Sequence, residues 1–317
     1  MKNDVLKTTK FVIDNSKYVK INKKRVEEFA KTFEHGETNH WLSQAPFKFV
    51  YLNKEEKLKL TLIFNAISFC YWGNPKWTIE FEGNSYDGAF GVIVAIERAI
   101  REGFPILNFE YCSKIREEDF EKIMRGNVKI PLFNERLEIL REIGKTMVSK
   151  YKGSISYMMK KSNEDVLKLL DIIVKNFPSF VDFSYYKGKK VFFYKRAQLL
   201  VSDISQMSKP DLNFKNVDKL TACADYKVPQ ILRKFGILEY IPSLAKKIDS
   251  KKEIPHDSEE EIEIRANTIW AVEFIKDGAK KHNSKITSMG IDNHLWLATQ
   301  EKFPDDKPYH LTRTTAY

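Results

Sequence analysis

Apolar positions along the chain fall mostly at helical spacing, and only a few short stretches alternate instead. Val26 to Phe33 reads as a short helix. Glu55 to Phe69 carries Leu58, Leu62, Phe64, Ile67 and Phe69 and predicts a buried helix. Trp77 to Phe81 alternates and predicts a strand ended by Gly83 and Asn84. Tyr86 to Glu102 predicts a strong helix stopped by Gly103, within which Gly88 and Gly91 leave room for a neighbour or a ligand. Pro131 opens a helix to about Lys150, and Asp165 to Lys175 gives another. Tyr185 to Lys190 reads as a turn. Val191 to Tyr194 is too short for periodicity to separate a strand from the start of the helix that reaches Ile204. Ser258 and Glu261 have capping-box spacing ahead of a long helix to about Lys281. The expected fold is mainly α, with two closely packed lobes and few short strands. Residues 1–317 read as one domain, which a weak boundary near Lys150 to Asn163 would divide into lobes 1–150 and 151–317.

Composition narrows the class. With 317 residues, 43% of them hydrophobic, the chain can bury a sizeable core. No apolar run is long enough to span a bilayer, because the best, Leu58 to Trp72, is short and broken by Asn65 and Ser68. The chain starts Met-Lys-Asn-Asp, without the apolar region of a secretory leader. Cys70, Cys112 and Cys223 are scattered and form no paired motif, which points away from a disulfide framework or a zinc site. A cytoplasmic protein is expected. The six histidines, at 35, 40, 256, 282, 294 and 310, show no metal-binding spacing, so no metal is expected either. Glycine-rich nucleotide loops and a GxSxG elbow are absent. The net charge of +10 is spread over lysine pairs interspersed with acids. That pattern fits a solvated surface attractive to a phosphorylated small molecule better than it fits a nucleic-acid groove.

The most informative stretch is Thr221 to Gln230. It sets Asp225, Tyr226 and Lys227 side by side ahead of a short helix, in whose first turn Pro229 fits. An aspartate there is favoured by the positive helix end and has two readings. It caps free backbone N–H groups, or it stabilises a cation or orients a water.

Other stretches share the order and spacing of a known family. They include Ser68-Phe69-Cys70-Tyr71-Trp72, Glu97 to Gly103, Ile130 to Arg136 and Lys195-Arg196-Ala197-Gln198. Ala224-Asp225-Tyr226, Val228-Pro229-Gln230, Glu261 to Ala266, Asp292 with Leu295-Trp296, and the tail His310 to Tyr317 follow. Over almost its whole length the chain resembles the queuosine salvage protein family, the queuosine 5′-phosphate N-glycosylase/hydrolases. It departs from the family pattern at Lys227, where arginine is usual, and at Cys223, where a larger apolar residue is usual.

The resemblance implies a helical fold similar to DNA glycosylases. It implies hydrolysis of the N-glycosidic bond of queuosine 5′-phosphate, releasing queuine and ribose 5-phosphate for salvage into tRNA, without a cofactor. Breaking that bond develops positive charge on the sugar, and Asp225 is the expected carboxylate for it. Tyr226 and Lys227 beside it are expected to touch substrate. Lys195 is expected to contact the sugar phosphate or pair with Asp225. Asp203, on the same helix face, either orients the partner of Lys195 or binds ribose hydroxyls, or makes an ordinary helix-face ion pair. Asp292, close to Trp296, is expected to meet the cationic amine of the queuine side chain. Phe69 and Trp72 either stack on the base or pack in the core. In the tail Arg313, with His310 and Tyr317 nearby, either binds phosphate or is solvated. Glu261, Glu263 and Arg265 either hold the lobes by ion pairing or touch ligand. Two alternatives remain: a non-catalytic nucleic-acid-binding helical module, and a glycosylase acting on a base within a polynucleotide. The first reading expects no membrane and no stable nucleic-acid partner.

Overall fold

The computed structural model describes residues 4–33, 38–47, 49–301 and 303–317; His35 lies outside them. In chain order the elements are α1 (Asp4–Asp14), β1 (Val19–Ile21), α2 (Lys23–Ala30), α3 (Lys54–Ala66), β2 (Thr78–Phe81), β3 (Asn84–Asp87) and α4 (Gly88–Arg101). Then come α5 (Phe109–Ser113), α6 (Glu117–Ile123), α7 (Phe133–Tyr151), α8 (Ile155–Lys160), α9 (Val166–Asn176), β4 (Phe183–Tyr186) and β5 (Lys189–Phe192). The last are α10 (Lys195–Met207), α11 (Lys227–Lys234), β6 (Leu238–Tyr240), α12 (Pro242–Asp249), α13 (Glu259–Ala279) and α14 (Ser288–Ala298). The protein is mainly helical. Its strands pair only as antiparallel ribbons, β1 with β6, β2 with β3 and β4 with β5. No helix among the described residues is long and apolar enough to cross a membrane.

Local chemistry accounts for most boundaries. A full capping box opens α3: Asn53 accepts from the Glu56 N–H, and Glu56 accepts from the Asn53 N–H. This helix stops at Ala66, short of the expected Phe69, and Cys70 takes φ +41 in the irregular segment that follows. The helix expected from Tyr86 begins instead at Gly88. Tyr86 and Asp87 belong to β3, opposite Ile79 and Thr78, because Glu82 and Gly83 both adopt positive φ and fold the chain back. Gly88, at φ +56, makes the change from strand to helix. Val191 and Phe192 are strand, and the turn at Lys187 and Gly188 closes a hairpin. Ser258 accepts from the Glu261 N–H, but the Glu261 carboxylate turns inward, so only half of the expected capping box forms.

Three apolar clusters make the core. The largest gathers α3, α4, α7, α9 and α10. The second joins Val19 to Phe33 with residues between Ala222 and Leu295. The third packs Val5 and Val12 of α1 against Ile262, Ala266 and Ile269 of α13. Helix α5 crosses α7 at Gly144, where a Cβ would lie 2.3 Å from the Ser113 nitrogen and 2.7 Å from the Phe109 oxygen. Backbone cannot give way as a side-chain tip can. Gly144→Ala is therefore expected to cost about 3 kcal/mol, read as a lowered urea midpoint. An unchanged midpoint would show the crossing to be loose.

Candidate active site

The turn from α3, the start of α10, the start of α11 and one face of α14 surround a cavity of about 1070 Å³, part of it open to solvent. Its walls are largely aromatic. Trp41 stacks on Phe64 with centroids 5.3 Å apart and meets Trp296 edge-on at 5.7 Å. Trp296 in turn meets Phe90 at 5.8 Å. Tyr226 and Tyr309 pack at 4.7 Å towards the mouth. Such walls suit a flat heterocycle.

The acids and cations of the cavity are held by different means. Asp225 Oδ1 accepts from the N–H groups of Lys227 at 2.7 Å and Val228 at 2.9 Å. This caps α11, so the cap reading holds. The other oxygen, Oδ2, takes no hydrogen bond among the described residues and is not sealed from the cavity that Asp225 lines. One oxygen fixes the side chain and the other is available for chemistry. Asp292 lines the same cavity and accepts from the Cys223 N–H at 2.9 Å. Burial, and then the neighbouring Asp225 charge, push its carboxyl up to about 8, although the Cys223 N–H and Lys195 pull the other way. At neutral pH Asp292 is thus mostly protonated. Lys195 lines the cavity from the first turn of α10. No carboxylate lies within 4.0 Å of its Nζ among the described residues.

The raised Asp292 value has a consequence for stability. The folded protein holds a proton between about pH 4 and pH 8 that the unfolded chain has released, so this group lowers stability progressively as pH rises through that window. Asp292→Asn keeps the acceptor for Cys223 and removes the penalty. The variant is expected to outlast the parent by a few kcal/mol at about pH 8, with the gap closing towards pH 4. Denaturant titrations at both pH values check this, and a pH-independent gap would contradict it.

Seven of the ten residues singled out from the sequence line this cavity: Asp225, Lys195, Tyr226, Lys227, Asp292, Trp296 and Phe69. The structure does not bring Asp203, Trp72 or Arg313 to its wall. Asp203 is fully buried one turn beyond Leu199, accepting from Trp41 Nε1 at 2.9 Å and Asn65 Nδ2 at 2.8 Å. Burial pushes its carboxyl up to about 7 against those two bonds. It meets the cavity wall through its bond to Trp41 and through its charge near Lys195 and Cys223. His40 is 3.4 Å from it, but burial, with Lys209, holds that imidazole down at about 4, so the pair is not ionic at neutral pH. Trp72 points to the tail, donating to the Thr312 carbonyl at 3.2 Å. Arg313 covers the Trp72 ring at 4.6 Å and reaches Glu253 on the surface. His310 is buried 3.2 Å from the Tyr317 hydroxyl, and Tyr317 itself lines the cavity.

In the charged cluster of α13, Glu261 and Arg265 join an ion-pair network, while Glu263 is held by neutral donors. Arg265 donates to both oxygens of Asp182, at 3.0 and 2.6 Å, and approaches Glu261 at 3.7 Å. Glu261 accepts from the Tyr317 hydroxyl at 2.9 Å. Glu263 accepts from the N–H groups of Lys17, Tyr18 and Val19 and from the Tyr186 hydroxyl. His256, Asp257 and Glu261 bring one ligand-type atom each within 4.8 Å of one another. The Arg265 guanidinium supplies positive charge beside Glu261 Oε1, while Glu261 Oε2 is buried without a hydrogen-bond partner among the described residues.

Sequence reading passed over Trp41, Tyr71, Phe90 and Tyr309, which all line the cavity. Tyr71 stood within the Ser68 to Trp72 run, and that run was its only signal.

Fold and cavity together define a helical protein with an aromatic pocket lined by two buried carboxylates and a lysine. The family model described as queuosine salvage protein matches residues 49–317, and the chain belongs to that family. A protein named queuosine 5′-phosphate N-glycosylase/hydrolase in Sphaerobacter thermophilus is 36% identical over 323 residues, covering 99% of this chain and 97% of its own. Its namesake in Bos taurus is 31% identical, covering 98% of this chain and 97% of its own. The one in Mus musculus is 35% identical over 279 residues, covering 83% of this chain and 82% of its own.

Proposed function

We propose that this protein hydrolyses the N-glycosidic bond of queuosine 5′-phosphate, releasing queuine and ribose 5-phosphate for salvage into tRNA. The observation that carries the mechanism is the divided role of Asp225, anchored through Oδ1 and open to the cavity through Oδ2. A carboxylate fixed in that way stabilises the oxocarbenium-like sugar without reorganising, and it can take a proton from the incoming water. The 7-deazaguanine base lacks the N7 that purine-cleaving enzymes protonate. Stabilising the sugar cation is therefore the larger contribution, with hydrogen bonds to the remaining base nitrogens and carbonyl assisting departure.

Phe69 and Trp296 supply faces for the base. Asp292 meets the cationic amine of the queuine side chain, and the arriving cation favours its ionised form, so binding releases a proton near neutral pH. Lys195 and Lys227 supply positive charge for the phosphate. Lys227 also lines an adjoining groove with Lys307, Lys76 and Lys234, of which Lys76 is paired with Asp87 and Lys234 with Asp306. The three free, buried cysteines suit a reducing compartment, and the reading places the protein in the cytoplasm. It includes no stable nucleic-acid partner.

The test is mass-spectrometric detection of free queuine after incubation with queuosine 5′-phosphate, queuosine and queuosine-containing tRNA in parallel. Release from the monophosphate supports the reading. Release from tRNA alone would favour a polynucleotide glycosylase, and no release from any would leave the family fold without the activity.

A further inference from the structure

Behind the cavity wall lie two arginines that do not line it. Arg136 of α7 is fully buried, and no carboxylate lies within 4.0 Å of its guanidinium among the described residues. Its donors go to backbone instead: to the carbonyls of Ile67 and Phe69, to Cys70 at 3.1 Å and to Pro131 at 3.0 Å. Arg196 of α10 donates to Ala66 at 2.5 Å and to Ser179. The two guanidinium carbons lie 4.2 and 5.1 Å from the centre of the Phe69 ring.

The carbonyls served by Arg136 belong to the segment where α3 has ended and Cys70 takes φ +41. Buried carbonyls outside regular structure need partners, and a planar fork reaches several at once where a lysine cannot. The same segment carries three cavity residues, Ser68, Phe69 and Tyr71. The hydroxyls of Ser68 and Tyr71 are buried and, apart from each other, have no hydrogen-bond partner among the described residues. Buried hydroxyls are rarely left so, and these two belong to the wall of a ligand cavity.

We propose that Arg136 is a positioning residue of the active site, holding Ser68–Tyr71 from behind so that the neighbouring hydroxyls of Ser68 and Tyr71 are presented together to the polar edge of the substrate. This rests on the proposed function for the identity of the substrate, but the mechanical part does not. Arg136→Lys keeps the charge and loses the fork. Cys70, buried within the held segment, and Cys223, buried in the cavity wall beside Asp292, report on where the structure opens.

In Arg136→Lys, iodoacetamide is expected to modify Cys70 about tenfold faster than in the parent while Cys223 changes little. In the same variant kcat/KM for queuosine 5′-phosphate is expected to fall about tenfold or more. Equal acceleration at both cysteines, or none at either, would overturn the proposal, since a general loosening opens both walls. Tyr71→Phe removes only a hydroxyl whose one neighbour is that of Ser68, and should fold even where Arg136→Lys does not. Its kcat/KM is expected to fall about tenfold with an unchanged melting temperature. Unchanged kcat/KM in Tyr71→Phe would overturn the proposal as well. A parent protein that turns over no queuosine 5′-phosphate refutes the assigned substrate, and the Cys70 to Cys223 ratio then still decides whether Arg136 holds this wall.

Discussion

Asp225→Asn is expected to cut turnover of queuosine 5′-phosphate by about a hundred- to ten-thousand-fold while leaving the fold and the binding of product almost untouched. The structure separates the two roles of this side chain. Asparagine keeps an oxygen for the N–H groups of Lys227 and Val228, so the cap on α11 survives. It loses the negative charge and the basic second oxygen, on which stabilisation of the sugar cation and activation of water depend. Asp225→Ala removes both roles, and its activity should match that of the asparagine variant while it loses about a further 1 kcal/mol of stability. Single-turnover kinetics and urea titrations on the two variants make the comparison. An asparagine variant that turns over at the parental rate would reduce Asp225 to a helix cap and leave the mechanism without its central group.

The largest stability effect is expected at Arg265. This guanidinium is fully buried, and it is held between the faces of Phe193 at 3.9 Å and Tyr317 at 4.7 Å. Burial works against its charge, but Asp182 and Glu261 outweigh that and raise its pKa above the usual arginine range. Asp182 also accepts from the Lys195 N–H at 3.0 Å, and Arg265 donates weakly to the Ala224 carbonyl at 3.4 Å. One residue therefore ties the start of α10, with Lys195, to the strand of chain that carries Asp225. Arg265→Met leaves two buried carboxylates without their cation, a loss of about 3–5 kcal/mol. The double variant Asp182→Leu with Arg265→Met should lose less than the sum of the single changes, because one of the stranded charges is gone. Additive losses would show that packing, and not charge compensation, dominates.

How far the site could be read from sequence depends on where the backbone turns. Asp225 was legible because a cap, a proline and an apolar helix face fix its surroundings within a few residues. Helix geometry sets Lys195 and Leu199 on one face, and both line the cavity. The same geometry put Asp203 on that face, but by then α10 has passed beneath Trp41, whose position is set by a short 3-10 turn with no periodic signal. Phe69 and Trp72 looked equivalent in the linear sequence. The left-handed residue between them, Cys70, directs Phe69 and Tyr71 to the cavity and Trp72 to the tail. Tyr309 and Tyr317 come from the far end of the chain, and local pattern carries no information about such contacts. The mainly helical class was readable throughout. The β2–β3 hairpin was half hidden, because Tyr86 and Asp87 run without a break into the apolar sequence of α4.

The docking of the N-terminal segment by Glu263 has a consequence for how the protein is made. Lys17 and its carboxylate partner are separated by 246 positions in the chain. A ribosome adding about 5–20 residues each second needs about 10–50 s to produce the partner after Lys17 has emerged. Through that interval the apolar faces that α1 and α2 later bury against α13 have no native cover. Nascent chains stalled before α13 should therefore engage chaperones or aggregate through residues 4–33, and those extended past α14 should not.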